Sequence, residues 1–374
     1  MQEESALQAK PAMTPLVTTG HVSPERYQLG RWLLRIASTI LTALVILQIG
    51  KTFGLWDQGF GNWRPAAIAF VGWAVALNVS LVLARGTRGE QAVFLLPAVL
   101  LTLAFVIFPT IFAIYIAFTD WNLSSVGGRH FNGLDNFRHL FSDGDYWRAM
   151  TNMVIYVGAV LVQYAIGFGL ALLLNQDIRG RKFFRVVFLL PFLLSPVAVS
   201  FMIGRSILDS HYGPVAQLLS AIGLPNLSFY DRPWPARGNI MIMDAWYSIP
   251  FIMVLLLAGL QAIPHEVLES ARIDGATARQ AFRHMIFPLM LPVSLTAVIL
   301  RIIFELKLID VVRVVTNGSP GGATDTVTLF IFREGIEKTN VGYATALSQF
   351  YLVCVIIFVT LILSIAGRWL RHVT

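Results

Sequence analysis

The sequence predicts an all-α polytopic membrane protein with about eight transmembrane helices. Hydrophobic residues make up 56% of the 374 residues, whereas charged residues make up only 13%. That charged fraction is about half of what a soluble globular domain contains. The apolar residues also fall into runs of roughly 20, the length that a helix needs to cross a bilayer. These observations exclude an ordinary soluble enzyme and an intrinsically disordered chain.

The apolar runs place each predicted span on the chain. They cover residues 32–50, 66–84, 91–118, 152–175, 186–208, 239–260, 286–306 and 344–366. Prolines lie inside the third and the fifth of these runs. They predict kinks, because neighbouring membrane helices can satisfy the carbonyl groups that a proline frees. Residues 1–28 are polar and proline-containing, so they predict a cytosolic tail and not a cleaved signal peptide.

The best internal boundary lies near residue 90. Residues 29–89 contain two additional N-terminal transmembrane helices, and residues 90–374 contain a six-helix core. The core holds every informative motif, including an unusually polar connection at residues 261–292.

The distribution of lysine and arginine predicts which connections face the cytoplasm. Arg85 and Arg88 follow the second run, basic residues cluster at 179–185, and arginines recur over 272–283 and at the C-terminal end. This pattern predicts a multi-pass membrane protein with both termini cytoplasmic. Basic membrane connections also account for the net charge of +7, so we expect no nucleic-acid partner.

The connection at residues 261–292 is more structured than a membrane loop requires. Pro264 suits the first turn of a helix. Glu266 and Glu269 place negative charge in the early turns, where it complements the helix dipole. Gly275 follows Asp274 at a position typical of a left-handed residue that ends a helix. A second helix over residues 277–285 would then lead to the next span, giving a helix-turn-helix at the cytosolic face.

This connection resembles the EAA loop of the membrane subunits of binding-protein-dependent ABC importers. The matching residues are Glu269, Ser270, Ala271, Asp274, Gly275, Ala276, Phe282, Ile286 and Pro288. Ser270 stands where the family more often has alanine, and Phe287 where it usually has leucine. A plain pair of amphipathic interfacial helices is the alternative interpretation of this segment.

The resemblance covers roughly residues 90–368 and extends to carbohydrate importers of the maltose-transporter type. Trp246, Gly259, Gln261 and Pro264 precede the loop as in that group, and the segment at 316–326 resembles its outer Thr-x-Gly-Gly-Pro segment. The resemblance implies a type I ABC importer core that lies in the inner membrane of a bacterial cell. It also implies a sugar, an oligosaccharide or a polyol as substrate.

The resemblance further implies that ATP is hydrolysed on partner chains. The sequence has no GxxxxGK[ST] phosphate-binding motif, so ATP and Mg are expected on two ATP-binding subunits, with no cofactor, catalytic residue or metal site in this chain. The other implied partners are a second homologous permease that completes a heterodimer, an extracytoplasmic solute-binding protein and the lipid bilayer. The residues expected to couple to the ATPase are Glu266, Glu269, Ser270, Ala271, Arg272, Asp274, Gly275, Ala276 and Phe282.

Substrate contacts are expected near the middle of the membrane on the sixth and seventh spans. Polar and aromatic residues recur at helical spacing from residue 244 to 251, so they share one helix face. Rings pack against the apolar faces of sugars, and carboxylates accept hydrogen bonds from hydroxyl groups. The resemblance adds a pair on the seventh span. The predicted contacts are Asp244, Tyr247, Ser248, Phe251, Phe304 and Glu305.

Each of these residues also has an interpretation without a substrate. The three rings would then serve only packing, and the two acids would form ion pairs within the chain. The candidate partners are Arg232 and Arg237 for Asp244, and Arg301 and Lys307 for Glu305.

The lead hypothesis is therefore the permease subunit of an ATP-driven importer for a sugar or polyol. The same importer type could instead take glycerol phosphate or another small solute. An ATP-independent secondary carrier using Asp244 and Glu305 is a different class, but it leaves the 261–292 connection unexplained. A membrane-embedded enzyme is a third class, and the sequence offers no catalytic cluster for it.

Overall fold

The computed structural model describes residues 23–52, 59–85, 87–209, 212–223 and 229–373. Most of the predicted N-terminal tail therefore lies outside the described residues. Where the chain is described, the regular structure is helical, apart from one isolated antiparallel bridge between Thr119 and Phe131. The predicted all-α class is confirmed.

The helices of the described chain fall into membrane-length and short elements. In chain order they are α1 Pro24–Thr52, α2 Arg64–Arg85, α3 Gly89–Ala117, α4 Asp135–Ser142, α5 Gly144–Asn175, α6 Arg181–Leu193, α7 Pro196–Ile207, α8 Pro214–Ala221, α9 Pro233–Gln261, α10 His265–Ile273, α11 Ala278–Glu305, α12 Asp310–Val315, α13 Val327–Phe332 and α14 Val341–Val373. Seven helices are long and apolar enough to cross a membrane, namely α1, α2, α3, α5, α9, α11 and α14. The pair α6 and α7 adds an eighth span if it is counted as one.

The predicted fifth span, residues 186–208, is not one kinked helix. Helices α6 and α7 meet at an angle of 95°. Leu194 and Ser195 between them are extended, with ψ angles of 155° and 135°. Pro196 begins α7, and the residue before a proline is disfavoured in the helical region. The chain therefore breaks before Pro196, whereas Pro191 is accommodated inside α6.

The predicted boundary between a cytosolic second helix (277–285) and the seventh span is also absent. Helix α11 runs without a break from Ala278 to Glu305. A π-helical turn at Phe282–Ile286 lies within it, in which the Phe287 amide donates to the Phe282 carbonyl. This turn shifts the hydrogen-bond ladder by one residue just before Pro288, whose nitrogen cannot donate. The helix therefore continues directly from the polar connection into the membrane.

The chain forms two compact units, residues 1–111 and 112–374. In the first unit, α1 and α2 pack as an antiparallel pair. A Cβ atom on Gly30 would lie 3.1 Å from the Ser80 carbonyl oxygen, and the Trp73 indole donates to the Ser38 hydroxyl at 3.0 Å. The predicted domain boundary near residue 90 stays a prediction.

The second unit is built around α5, α9 and α11. Helix α5 contacts α9 closely, because a Cβ atom on Gly167 would lie 2.9 Å from the Ile252 side chain. Buried residues of all three helices, including Phe168, Leu256 and Met290, form one apolar cluster. This packing fixes the relative positions of the helices that carry the site described below.

We expect Gly342→Ala to lower the stability of the second unit. Gly342 is the second residue of α14, and an added Cβ atom would lie 2.1 Å from the backbone oxygen of Thr119. Backbone atoms cannot move aside cheaply, so the expected loss is about 1–3 kcal/mol. Gly158→Ala is the matched control, because no atom lies within 4 Å of its added methyl group apart from its chain neighbours and the adjacent backbone of its own helix. Thermal unfolding in detergent should separate the two variants, and equal midpoints would contradict the close approach at Gly342.

Candidate functional site

A cavity of about 330 Å³ lies where α6, α7, α9 and α11 meet the start of α12. Its lining residues are Phe192, Pro196, Asp244, Tyr247, Ser248, Phe251, Arg301, Phe304, Lys307, Leu308, Ile309, Asp310 and Val311. The structure brings together five of the predicted substrate contacts around this cavity. The sixth, Glu305, does not line it.

A buried polar network forms one side of the cavity. Arg301 contacts the carboxylates of both Asp244 and Glu305. Its Nε donates to the Gln163 side-chain oxygen at 2.9 Å, and the Gln163 amide donates to Asp244 at 2.7 Å. None of these four residues is more than 5% exposed. Two acids thus share one guanidinium group inside the membrane segment, where unpaired charges are costly.

These contacts decide between the two sets of candidate ion pairs. Asp244 pairs with Arg301 and not with Arg237 or Arg232. Arg237 instead donates from Nε to the Asn152 side chain at 3.1 Å and to the Ala323 carbonyl at 2.7 Å. Glu305 pairs with Arg301, one helical turn away. It therefore contacts the guanidinium group that lines the cavity without lining the cavity itself.

Aromatic rings form another side of the cavity. The Phe192 ring lies 5.6 Å from the ring centres of both Tyr247 and Phe251. Phe304 meets Phe251 edge to face at 5.9 Å. Tyr247 and Phe251 are half-buried, whereas Phe304 is 57% exposed. The cavity therefore presents flat apolar surfaces beside a fixed array of hydrogen-bonding groups.

Sequence reasoning missed several members of the site, among them Gln163, Phe192 and the lining residues at 308–311. Gln163 is a polar residue inside the apolar run of α5. That position is the one feature of the sequence that could have indicated a role in a buried polar site. Phe192 lies in α6, and nothing in its local pattern sets it apart from the neighbouring phenylalanines. Arg301 entered only as a partner for Glu305, although it also contacts Asp244 and lines the cavity.

The connection that follows α12 is tied to α5. The Asn152 side chain donates to the Asp325 carbonyl at 2.9 Å, and the Tyr156 hydroxyl donates to the Thr324 carbonyl at 3.2 Å. Burial raises the pKa of the Asp325 carboxyl, and the contact with Arg333 counteracts that rise. This connection directly follows α12, which lines the cavity. These bonds therefore fix that part of the cavity wall relative to α5.

The predicted coupling segment forms a tight elbow between α10 and α11. Gly275 has a φ angle of +73°, as predicted for a left-handed residue. The amides of Asp274, Gly275 and Ala276 donate to carbonyls of the last turn of α10 at 2.9, 3.1 and 2.9 Å. Thr277 and Gln280 cap the start of α11 reciprocally. Helix α11 then runs without a break from the elbow to the cavity.

The exposed side of the elbow differs from the predicted one at two positions. Ala271 is only 4% exposed, and Phe282 packs against Phe168 and Phe287 at ring distances of 5.7 and 6.0 Å. Both residues therefore face the interior of this chain, and Phe282 packs the elbow against α5 through its contact with Phe168. Ala276 is half-buried. The remaining predicted coupling residues are exposed and comprise Glu266, Glu269, Ser270, Arg272, Asp274 and Gly275. Ile273, which the prediction omitted, is 85% exposed at the tip.

Comparison with known proteins places this arrangement in a family. Residues 163–373 match the family model described as binding-protein-dependent transport system inner membrane component. That match covers more than half of the chain and includes both the cavity and the elbow.

The chain is also similar to individual transport proteins. It is 32% identical over 278 residues to the trehalose/maltose transport system permease protein MalF of Thermococcus litoralis, covering 74% of this chain and 93% of that relative. It is 27% identical to the maltodextrin transport system permease protein MdxF of Bacillus subtilis, covering 86% and 78%. Among solved structures, a bacterial alginate ABC transporter in complex with an alginate pentasaccharide-bound periplasmic protein has a TM-score of 0.66 at 23% identity, covering 83% of this chain and 98% of that one. That similarity supports the fold.

Proposed function

Because the chain belongs to the family of binding-protein-dependent transport system inner membrane components, it is the permease subunit of an ABC importer, and we propose that it carries a sugar, an oligosaccharide or a polyol. Family membership confirms the resemblance based on the EAA loop. It favours the importer over the secondary carrier and the membrane-embedded enzyme.

The composition of the cavity is the main support for a sugar. Tyr247, Phe251 and Phe304 offer rings for the apolar faces of a pyranose, and Asp244 and Ser248 offer hydrogen-bonding groups beside them. The relatives named above are trehalose/maltose and maltodextrin permeases. Glu305 is not proposed as a substrate contact, because it pairs with Arg301 and does not line the cavity.

The same charges argue against glycerol phosphate as the substrate. The Arg301 guanidinium is already shared between two carboxylates. Lys307 is the other cation at the cavity, and Asp310 lies on the same wall. A phosphate dianion would therefore meet as many acids as bases, whereas a neutral hydroxylated ligand meets no unfavourable charge.

The elbow between α10 and α11 supplies the coupling in this proposal. Its exposed acidic, basic and apolar side chains would dock on an ATP-binding subunit, and continuous α11 would transmit displacement to the cavity wall. The proposed assembly contains a second homologous permease, two ATP-binding subunits that hold ATP and Mg, and an extracytoplasmic solute-binding protein. Both termini and the elbow would face the cytoplasm of an inner membrane, in agreement with the basic residues there.

Co-purification tests the proposed assembly. The tagged chain would be expressed from its native chromosomal neighbourhood, solubilised gently, and the bound proteins identified by mass spectrometry. We expect a second permease with an EAA loop and an ATPase with a phosphate-binding loop. The neighbouring binding protein can then be screened against sugars. Recovery of the chain alone, under conditions that preserve a known importer, would contradict the assembly.

Phe251→Ala is expected to weaken uptake at low sugar concentration by roughly 2- to 10-fold, the range for one ring contact. Phe201→Ala is the matched control, because Phe201 lies in α7, is 57% exposed and does not line the cavity. Initial rates of labelled sugar uptake, normalised to the amount of chain in the membrane, provide the measurement. Equal rates for both variants would show that the Phe251 ring serves packing alone.

A further inference from the structure

The start of α1 carries a basic and aromatic surface that the importer function does not use. A shallow cavity of about 230 Å³ lies there, lined by Pro24, Tyr27, Gln28, Arg31, Trp32 and Arg35. Arg31 and Arg35 are four residues apart, so their side chains lie one turn apart on the same helix face. Two guanidinium groups at this spacing can reach one phosphate group together.

Each of the two arginines lies near an aromatic ring, and within the described residues neither forms a hydrogen bond through its side chain. The Arg31 guanidinium lies 5.6 Å from the centre of the Tyr27 ring, and that of Arg35 lies 5.8 Å from the centre of the Trp32 ring. A guanidinium group that contacts a ring through its flat face keeps its N–H edge for other partners. Among the described residues, neither arginine has a carboxylate within ion-pair distance.

The neighbouring helix adds positive charge at the same end of the hairpin. Gly30 of α1 packs against Ser80 and Leu83 of α2, and α2 ends at Arg85. Arg85 therefore lies at the same end of the α1–α2 pair as Arg31. A group that binds here meets a cationic surface from both helices.

An apolar strip continues from the basic surface along α1. Ile36 and Ile40 follow Trp32 at four-residue spacing and are 56% and 52% exposed. They belong to a helix long and apolar enough to cross the membrane. Tryptophan and tyrosine at the end of such a helix are typical of the headgroup level of a bilayer. A free phosphate would use only the arginines, whereas a phospholipid would use the arginines and the strip.

We propose that α1 binds an anionic phospholipid. Arg31 and Arg35 hold its phosphate, Tyr27 and Trp32 flank the headgroup, and an acyl chain lies along Ile36 and Ile40. This site gives one of the two additional N-terminal helices a function that is independent of the transported substrate.

Native mass spectrometry of the full-length chain, purified with whatever it binds, tests this proposal. The protein would be offered phosphatidylglycerol and phosphatidylcholine with identical acyl chains. We expect wild type to retain phosphatidylglycerol preferentially. Arg31→Gln with Arg35→Gln should reduce that retention by about 30-fold, since each basic residue near an anionic membrane surface strengthens binding by about fivefold. The pair Arg31→Lys and Arg35→Lys should retain most of the preference.

Three results would overturn the proposal. One is unchanged retention by the glutamine pair. Another is an equal loss in the matched control, Arg181→Gln with Lys182→Gln, which removes the same charge from a connection predicted to face the cytoplasm. The third is displacement of the lipid by inorganic phosphate alone, which would indicate a phosphate site. If the glutamine pair does not fold, photo-crosslinking of wild type with photoactivatable phosphatidylglycerol decides, and labelled peptides that exclude residues 24–40 would contradict the site.

Discussion

Gly275→Pro is expected to abolish uptake while the chain still inserts into the membrane at its ordinary level. Gly275 has a φ angle of +73°, and proline fixes φ near about −65°. Its amide also donates to the Arg272 carbonyl at 3.1 Å, and proline removes that donor. No atom lies within 4 Å of a Cβ atom at this position. The defect is therefore one of backbone direction between α10 and α11, and the core is left intact.

Gly275→Asn is the matched control for this prediction. Asparagine visits the left-handed region more readily than other residues with a side chain, and the open space around Gly275 accommodates it. We expect this variant to take up sugar at close to the wild-type rate. Both variants would be measured for labelled uptake, with the amount of chain in the membrane as the reference. Ordinary uptake by the proline variant would contradict the coupling role of the elbow.

The fold could be predicted largely because a bilayer imposes a simple rule on the sequence. Apolar runs of spanning length recur along the chain, and the structure has helices at all of them. The break between α6 and α7 shows the limit of that rule. The prolines at 191 and 196 indicate that the chain bends, but the angle of 95° depends on how α6 and α7 pack against α9 and α12.

The elbow could be located for a different reason. Its glycine, its helix-capping residues and its acidic first turn each have a local physical cause. Local patterns do not reveal which side of a short helix meets the rest of the chain. The pattern therefore places Ala271 and Phe282 on a partner surface, although Ala271 is buried and Phe282 is half-buried within this chain.

The polar network is the part of the site that is hardest to predict from the sequence. Gln163 bonds to Asp244, 81 residues further on, and to Arg301, 138 residues further on. No periodicity within one helix indicates such a contact. Only Arg301 and Glu305, one turn apart on α11, form a pair that spacing can predict.

Arg301→Met is expected to reduce sharply both the amount of folded protein that is recovered and its thermal stability. Arg301 is 4% exposed and is the cation between two buried carboxylates. Removing it leaves both acids in a low-dielectric interior without a counter-charge. Breaking a buried ion pair in this way costs about 3–5 kcal/mol, a large share of the stability of any domain. Fluorescence-detected size exclusion after solubilisation, together with the thermal midpoint, measures the loss.

The triple variant Asp244→Asn, Arg301→Met and Glu305→Gln separates stability from function. It contains no buried charge at the network, and replacing a buried ion cluster by uncharged groups is often neutral or stabilising. We therefore expect its thermal midpoint to return close to the wild-type value, while uptake stays low because the cavity has lost the Asp244 carboxylate and the Arg301 guanidinium group. A stable Arg301→Met protein would contradict the burial of the ion cluster. Normal uptake by the triple variant would show that the ion cluster serves only the stability of the fold. Recognition of the sugar would then depend on the aromatic rings of the cavity.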